Sequence, residues 1–219
     1  MPAASSGRGP RGLLLDAAGT LLALAEPVGQ TYARCARTHG VDLAPDAAEQ
    51  AFRAALTAAD RGRMVGDGRE FWKRVVARTT GSGDPALFEA LYAWYAEPDA
   101  WRLVPGWADL VRTLSAAGVP CALVSNWDTR LRLLLMRLGV TDWLPDQLIS
   151  GEEGMDKPEA ALFHKACEWL GVPPAETLMV GDSARTDVAG ARAAGLMAVH
   201  WGVEVHTPGA LLPRFGVAR

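Results

Sequence analysis

Cysteine is scarce in this chain of 219 residues. The three cysteines, Cys35, Cys121 and Cys167, lie far apart and show no metal-type spacing, which argues against a disulfide framework and against a cysteine-based metal site. We therefore expect them to be small apolar packing residues in a reducing compartment.

Long apolar runs are also missing. No stretch approaches the ~20 apolar residues of a membrane helix, and the run Leu13–Leu15 is far too short for a signal peptide. These absences predict a protein that does not span a membrane and resides in the cytoplasm by default. Residues 1–10 (MPAASSGRGP) are predicted to form a flexible N-terminal tail.

Basic residues form no block, and the formal net charge is −3. The sequence therefore gives no broad electrostatic reason to expect nucleic acid or an anionic membrane as a partner. A small-molecule partner is the expectation that remains.

Five short apolar runs are present, and each is typical of a buried parallel strand. They are Gly12–Leu15, Cys121–Ser125, Gln147–Ser150, Thr177–Val180 and Met197–Trp201. Helical segments lie between the later runs, and each stops at a glycine. These segments are Trp107–Ala117, Thr129–Leu138, Pro158–Leu170 and Arg185–Ala194. The repeated order of strand and helix predicts an α/β fold, with a Rossmann-like parallel sheet and crossover helices on both faces.

Two of these helices carry recognisable start signals. Asp128 is predicted to be the N-cap of the segment that begins at Thr129. Pro158 is predicted to occupy the first turn of its helix.

Residues 23–100 break this rhythm, because they contain no convincing strand and about four helical patterns. The patterns are Gly29–Thr38, Asp46–Ala59, Arg69–Thr79 and Ala86–Ala96. We predict that residues 23–100 form an inserted all-α domain and that residues 11–22 and 101–219 form the core. Aromatic residues recur at helical spacing in the insert and are predicted to be its packing core. They are Trp72, Phe88, Trp94 and Tyr95.

Polar residues follow three of the predicted strands. Asp16 directly follows Leu13–Leu15, Ser125 and Asn126 close the second strand, and Asp182 comes after Thr177–Val180. In an open parallel sheet, ligands bind outside the carboxyl ends of the strands. We therefore expect these side chains to share one crevice.

Asp16, Asp182 and Asp187 would bring like charges together in that crevice, which is costly unless a cation neutralises them. Hard oxygen ligands without a nearby histidine or cysteine suit Mg²⁺. Lys157 would add a fixed positive charge, and the helix start behind it favours anions. The combination predicts a site for an oxyanion beside a divalent cation, and thus a phosphorylated substrate.

Four segments resemble the motifs of the haloacid dehalogenase (HAD) superfamily, in the order of that family. They are DAAGTLL at 16–22 (DxxGTL), VSN at 124–126 (a strand ending in Ser), KPEAALF at 157–163 (KPxxxxF) and GDSARTDVAGA at 181–191 (GDSxxxDxxGA). All four together are a far stronger signal than any one of them. The run SNWDTRL at 125–131 further resembles the "hydrolase-domain-containing" subgroup.

The resemblance implies a catalytic set. Asp16 would attack phosphorus and form an aspartyl-phosphate. Ser125 would hydrogen-bond the transferring group, Lys157 would stabilise its charge, and Asn126 is expected to join them in binding phosphate.

It also implies a metal site and a cap. Mg²⁺ would be held by the carboxylate of Asp16, the backbone carbonyl of Ala18 and Asp182, with Asp187 reaching it directly or through water. The insert would be the helical cap that closes over the site and excludes water.

The sequence departs from the family pattern at Ala18, where HAD phosphatases usually carry the Asp that protonates the leaving oxygen. Three activities remain open: a Mg²⁺-dependent phosphatase with weak acid catalysis, a metal-independent 2-haloacid dehalogenase, and a phosphonoacetaldehyde hydrolase. The last would need a Schiff-base lysine in the cap, where Lys73 is the one lysine and is predicted to be a solvated surface charge. A pseudoenzyme that binds phosphate or a partner without turnover is a further alternative. Retention of the four charged motif residues favours the phosphatase.

Overall fold

The computed structural model describes residues 9–59 and 66–217. Most of the predicted tail, residues 1–8, lies outside the described residues. The main sheet of the described residues has five parallel strands, which are β1 (Gly12–Leu15), β4 (Cys121–Ser125), β5 (Gln147–Ile149), β6 (Thr177–Gly181) and β7 (Met197–His200). They lie side by side in the order β5-β4-β1-β6-β7. This arrangement confirms the predicted parallel α/β core.

The central strand is β1, which pairs with β4 on one side and with β6 on the other. Leu13, for example, is in register with Cys121 and with Leu178. Successive side chains of a strand point to opposite faces, so Leu13 and Leu15 enter one core cluster and Leu14 the other. All three leucines are fully buried, and each such burial stabilises the fold by roughly 1.5–3 kcal/mol.

Helices cover both faces of this sheet. On one face, α5 (Trp107–Ala116) and α6 (Arg130–Arg137) pack with the 3₁₀ segment Pro208–Phe215. On the other face lie α8 (Ala160–Leu170) and α9 (Gly190–Ala193). The short helix α7 (Ser150–Glu153) directly follows β5. The crossover helices on both faces are therefore confirmed. None of the helices in the described ranges has the length and apolar character needed to cross a membrane.

Four helices lie in the part of the insert that the structure describes, residues 23–59 and 66–100, and they pack on one another. They are α1 (Val28–Thr38), α2 (Pro45–Ala59), α3 (Arg69–Thr80) and α4 (Pro85–Trp94). Their buried cluster contains Tyr32 and Phe88, with Trp72 and Tyr95 packed against it. Trp94 is half-buried and lies outside that cluster, contrary to the prediction, and the guanidinium of Arg34 lies over its ring, 5.6 Å from the centroid.

A two-stranded antiparallel ribbon joins the insert to the core. Its strands are β2 (Leu22–Leu24) and β3 (Trp101–Leu103), with Leu22 opposite Leu103. The prediction that residues 23–100 contain no strand was wrong at positions 23 and 24. A strand of three residues is too short to show the alternation from which strands are recognised.

The remaining helix and strand ends lie within one or two residues of the prediction, apart from the segment after β6. One of these small differences lies next to Lys157, a predicted site residue. The helix predicted to start at Pro158 begins at Ala160, because Glu159 has extended backbone angles (φ −60°, ψ 125°). Pro158 therefore precedes α8 and does not lie in its first turn.

Candidate active site

Asp16 follows β1 directly and lies at the carboxyl edge of the sheet. Its backbone N–H donates to the carbonyl of Val180 at 3.0 Å, which holds it beside the end of β6. Its side chain is buried, and Lys157 Nζ donates to Asp16 Oδ1 at 2.6 Å. Burial raises the pKa of Asp16 to about 7, against the lowering effect of Lys157 and with a further rise from the charge of Asp187.

Three carboxylates converge at this edge. One oxygen each of Asp16, Asp182 and Asp187 can be chosen so that all lie within 4.8 Å of one another. Asp187 is buried, whereas Asp182 is exposed to solvent. The pKa of Asp182 is raised by partial desolvation and by the charge of Asp187. The predicted cluster of like charges is therefore present, and it suits a cation.

The chain after β6 forms a widened helical turn that presents Asp187 to the site. Residues Ala184–Ala189 are a π-helix, followed by the α-helical Gly190–Ala193. Asp187 Oδ2 accepts from the backbone N–H of Ser183 at 3.0 Å. The prediction of one α-helix over 185–194 was therefore wrong in its first half, since π-turns are frequent at functional sites and have no sequence period of their own.

Two glycines allow the carboxylates to come this close. Gly19 has φ +79°, and a Cβ there would lie 2.1 Å from Asp182 Oδ2. A Cβ at Gly181 would lie 2.3 Å from Asp187 Oδ2. Side chains at these two positions would displace the acidic residues, which explains why glycine occupies both motifs.

Lys157 is buried between two of the carboxylates. Its Nζ lies 2.6 Å from Asp16 Oδ1 and 2.6 Å from Asp187 Oδ1. Burial alone would lower the pKa of Lys157, but the charges of Asp16 and Asp187 outweigh it and raise that pKa. The cluster therefore has three carboxylates and one ammonium, which pairs with two of them.

Ser125 and Asn126 occupy the end of β4, next to Lys157. Ser125 is buried. The side-chain Nδ2 of Asn126 donates to the carbonyl of Lys157, and its Oδ1 accepts from the backbone N–H of Lys157, both at 2.7 Å. Asn126 therefore fixes the backbone that carries the lysine, a role that the sequence did not predict.

A family model described as a haloacid dehalogenase-like hydrolase matches residues 10–195. The chain belongs to the haloacid dehalogenase-like hydrolases. The resemblance seen in the four motifs is thereby confirmed, and the chain is a hydrolase of this family.

Two curated proteins and one solved structure illustrate what this chain is similar to. Human haloacid dehalogenase-like hydrolase domain-containing protein 3 is 33% identical over 197 residues, which cover 84% of this chain and 78% of the human protein. The ribulose-1,5-bisphosphate 5-phosphatase of Halopiger xanaduensis is 36% identical over 134 residues, covering 59% of this chain and 55% of that enzyme. L-2-haloacid dehalogenase from Xanthobacter autotrophicus, with chloropropionic acid covalently bound, superposes with a TM-score of 0.70 at 21% identity, covering 96% and 85% of the two chains. The last comparison shows the fold alone.

In this haloacid dehalogenase-like hydrolase, a buried ion pair ties the core to the insert. Asp128 is fully buried, and its carboxylate accepts from Arg130 Nε and Nη2, both at 2.9 Å. Trp72 Nε1, in the insert, donates to Asp128 Oδ2 at 2.8 Å. Arg130 Nη1 donates to the carbonyl of Tyr92, whose ring centroid lies 3.6 Å from the guanidinium carbon.

Asp128 also accepts from the backbone N–H of Arg130 at 3.0 Å, which satisfies the start of α6 as predicted. The predicted N-cap itself is displaced by one residue, because Thr129 is the cap of the helix. The sequence missed the larger role of Asp128 in joining the two parts of the chain, since nothing in its local pattern indicates a partner 56 residues away.

A cavity of about 490 Å³ separates the insert from the carboxyl edge of the sheet. From the core, Ala18, Gly19 and Asn126 line it; from the insert, Tyr32 and Trp72 do. The cavity therefore opens beside the first motif. Lys73, the lysine that a Schiff-base mechanism would require, is exposed on α3 and does not line it.

Proposed function

We propose that this hydrolase is a Mg²⁺-dependent phosphatase that acts through an aspartyl-phosphate on Asp16. The observation that carries the proposal is the convergence of Asp16, Asp182 and Asp187, two of which pair with the buried ammonium of Lys157. The phosphatase relative from Halopiger xanaduensis supports the same reaction class.

A divalent cation fits the residues that are present. The donors are hard carboxylate oxygens, which suit Mg²⁺. Three carboxylates converge here, and the one ammonium pairs with two of them. We propose Asp16, the backbone carbonyl of Ala18, Asp182 and Asp187 as the residues that hold it. When bound, Mg²⁺ would offset this charge and polarise the phosphoryl oxygens.

Each polar side chain of the site would have its own role in the reaction. A carboxylate oxygen of Asp16 attacks phosphorus, the bond from phosphorus to the leaving oxygen breaks, and that oxygen keeps the electron pair. Lys157 stabilises charge on the phosphoryl group, to which Ser125 donates a hydrogen bond. Asn126 has a second amide N–H besides the one that binds Lys157, and we propose that it contacts phosphate too. Water then hydrolyses the aspartyl-phosphate.

Protonation of the leaving group is the step for which position 18 offers no help. The methyl group of Ala18 can neither donate nor accept a proton. We therefore propose that the enzyme acts on esters whose leaving groups depart without a proton donor. The insert serves as the cap, because its aromatic side chains and the residues of the first motif line one cavity. A cap that closes over this cavity excludes water from the reaction.

The lack of an acid at position 18 also suits carbon–halogen cleavage, which is the second candidate function. The two activities separate in one experiment. We expect turnover of 4-nitrophenyl phosphate with Mg²⁺, loss of it in excess EDTA, and capture of labelled phosphate on Asp16 after rapid quenching. Turnover of a 2-haloacid that persists in EDTA, without phosphatase activity, would reject the phosphatase and establish the dehalogenase.

A further inference from the structure

Aromatic rings dominate the cavity between the insert and the sheet. Seven of its lining residues carry aromatic side chains, among them Tyr32, Phe52, Trp101 and Trp127. A volume of about 490 Å³ lies within the range of small-molecule sites. We propose that this cavity holds the leaving group of an aryl phosphate monoester; the proposal rests on the phosphatase function and names its substrate class.

The charged group of the cavity is already engaged. Arg130 is the one charged side chain among the described residues that line it. Its Nε and Nη2 donate to Asp128, and its Nη1 donates to the carbonyl of Tyr92. The hydroxyl of Tyr92 donates to the carbonyl of Asp67 at 2.7 Å. Besides the second N–H of Asn126, which we assign to phosphate, the buried hydroxyl of Tyr95 lacks a hydrogen-bond partner among the described residues and can pair with one hydroxyl of a ligand. The other hydroxyls of a sugar would lose water here without gaining partners, which costs free energy, whereas an apolar ring has no such cost.

Ala18 lies in the same cavity, beside the phosphorus that Asp16 would attack. A phenol has a pKa of about 10, as tyrosine does, so an aryloxide leaves with its electron pair and takes its proton afterwards from water. The missing acid and the apolar lining therefore select the same kind of substrate. An alkyl or sugar phosphate would need both a proton donor and polar contacts.

The apolar lining continues to the opening of the cavity. Leu24 and Leu56 are both more than one-third exposed, and both line the cavity. Large exposed apolar side chains at a cavity rim favour ligands that extend over them. A second fused ring on the leaving group would reach additional apolar surface of this kind.

Steady-state kinetics with Mg²⁺ test the proposal on phenyl, 2-naphthyl and acetyl phosphate and on glucose 6-phosphate. The two aryl esters have leaving groups of similar pKa and differ by one ring. We expect a KM for the naphthyl ester about tenfold below that for the phenyl ester, from the added buried area. Comparable kcat/KM values for glucose 6-phosphate and 2-naphthyl phosphate would overturn the proposal.

Substitutions at the cavity rim test whether the lower KM for the naphthyl ester depends on the rim leucines. Leu24→Asn and Leu56→Asn should each raise the KM for 2-naphthyl phosphate about threefold or more, and by more than the KM for acetyl phosphate. Leu133→Asn is the matched control, because Leu133 is exposed on α6 and does not line the cavity. Equal effects on both substrates, or an equal effect of the control, would also overturn the proposal.

A binding measurement separates this proposal from the phosphatase function. The non-hydrolysable 2-naphthylmethylphosphonate is titrated into the protein while tryptophan fluorescence is recorded, since Trp72, Trp101 and Trp127 line the cavity. Binding that Leu56→Asn weakens, without hydrolysis of any ester, would reject the phosphatase and support the apolar ligand class. Hydrolysis of esters with no preference for aryl groups would reject the cavity proposal and leave the phosphatase standing.

Discussion

The side-chain amide of Asn126 pairs with the backbone of Lys157 through two hydrogen bonds of 2.7 Å. One amide group thus satisfies both the N–H and the C=O of the residue that supplies the ammonium of the site. The pairing fixes the backbone of Lys157, and the ion pairs with Asp16 and Asp187 fix the position of its ammonium group.

Asn126→Asp should lower kcat by about ten- to a hundredfold. One carboxylate oxygen can still accept from the N–H of Lys157, but the other would face its carbonyl oxygen and repel it. The free energy of unfolding should fall by about 1–3 kcal/mol, measured by urea denaturation. A folded variant with the kcat of the unchanged protein would show that the pairing does not position the lysine for catalysis.

Lys157→Met should lower the free energy of unfolding by about 3–5 kcal/mol in EDTA, because it leaves buried carboxylates without their cation. Burial already raises the pKa of Asp16 to about 7, so the folded state favours the protonated acid and loses stability as the pH rises toward that value. The loss should therefore be larger at about pH 8 than at about pH 5. Lys73→Met, at an exposed lysine of α3, is the control and should change stability by less than ~0.5 kcal/mol. A Lys157→Met loss that is equal at both pH values would contradict this account.

Asp182→Asn should weaken binding of Mg²⁺. Its carboxylate belongs to the oxygen cluster, and an amide oxygen carries no charge for the cation. The rise in melting temperature on addition of Mg²⁺ should shrink, since that rise depends on affinity for the folded state. Asp109→Asn, at an exposed aspartate in the first turn of α5, should keep the full rise. An unchanged rise in Asp182→Asn would remove this residue from the metal site.

Ala18→Asp should raise activity on poor leaving groups by up to ~10²-fold, if the new carboxyl group reaches the leaving oxygen. The unchanged enzyme should turn over nitrophenyl and acyl phosphates and leave sugar phosphates nearly untouched. Ala23→Asp is the matched control, because Ala23 lines the same cavity at a position that no family motif assigns to the acid. Rapid hydrolysis of alkyl phosphates by the unchanged enzyme would mean that another residue already supplies the proton.

The sequence predicted which acidic side chains share the carboxyl edge of the sheet, because the order of strands and helices along the chain determines where the strands end. Asp16 directly follows an apolar run and Asp182 follows another after one glycine, and the carboxyl ends of parallel strands must meet at one edge. The sequence could not show that Asn126 holds Lys157, because an amide that follows a strand suits a ligand contact equally well.

Tertiary partners account for most of what the sequence missed. Asp128 has the local pattern of a helix cap, and only the folded chain brings Trp72 to its carboxylate. Trp72 and Tyr95 were predicted to be packing residues of the insert, and they do pack against its cluster, yet they also line the cavity. Helical spacing predicts that a side chain faces away from water. It does not show whether other side chains of the protein or a ligand cover that side chain.

The central position of β1 has a consequence for synthesis on the ribosome. Leu13 pairs with Cys121 and Leu178, so the apolar first strand leaves the ribosome more than a hundred residues before either neighbour. The helices of the insert make local contacts and can pack during that interval, whereas β1 still has no partner strand. The nascent chain thus carries an unpaired apolar strand until β4 emerges, the stage at which growing chains aggregate most readily and chaperones bind them. Asp16 meets Lys157 only after 141 further residues have been added, so its carboxylate is made long before the partner that fixes it.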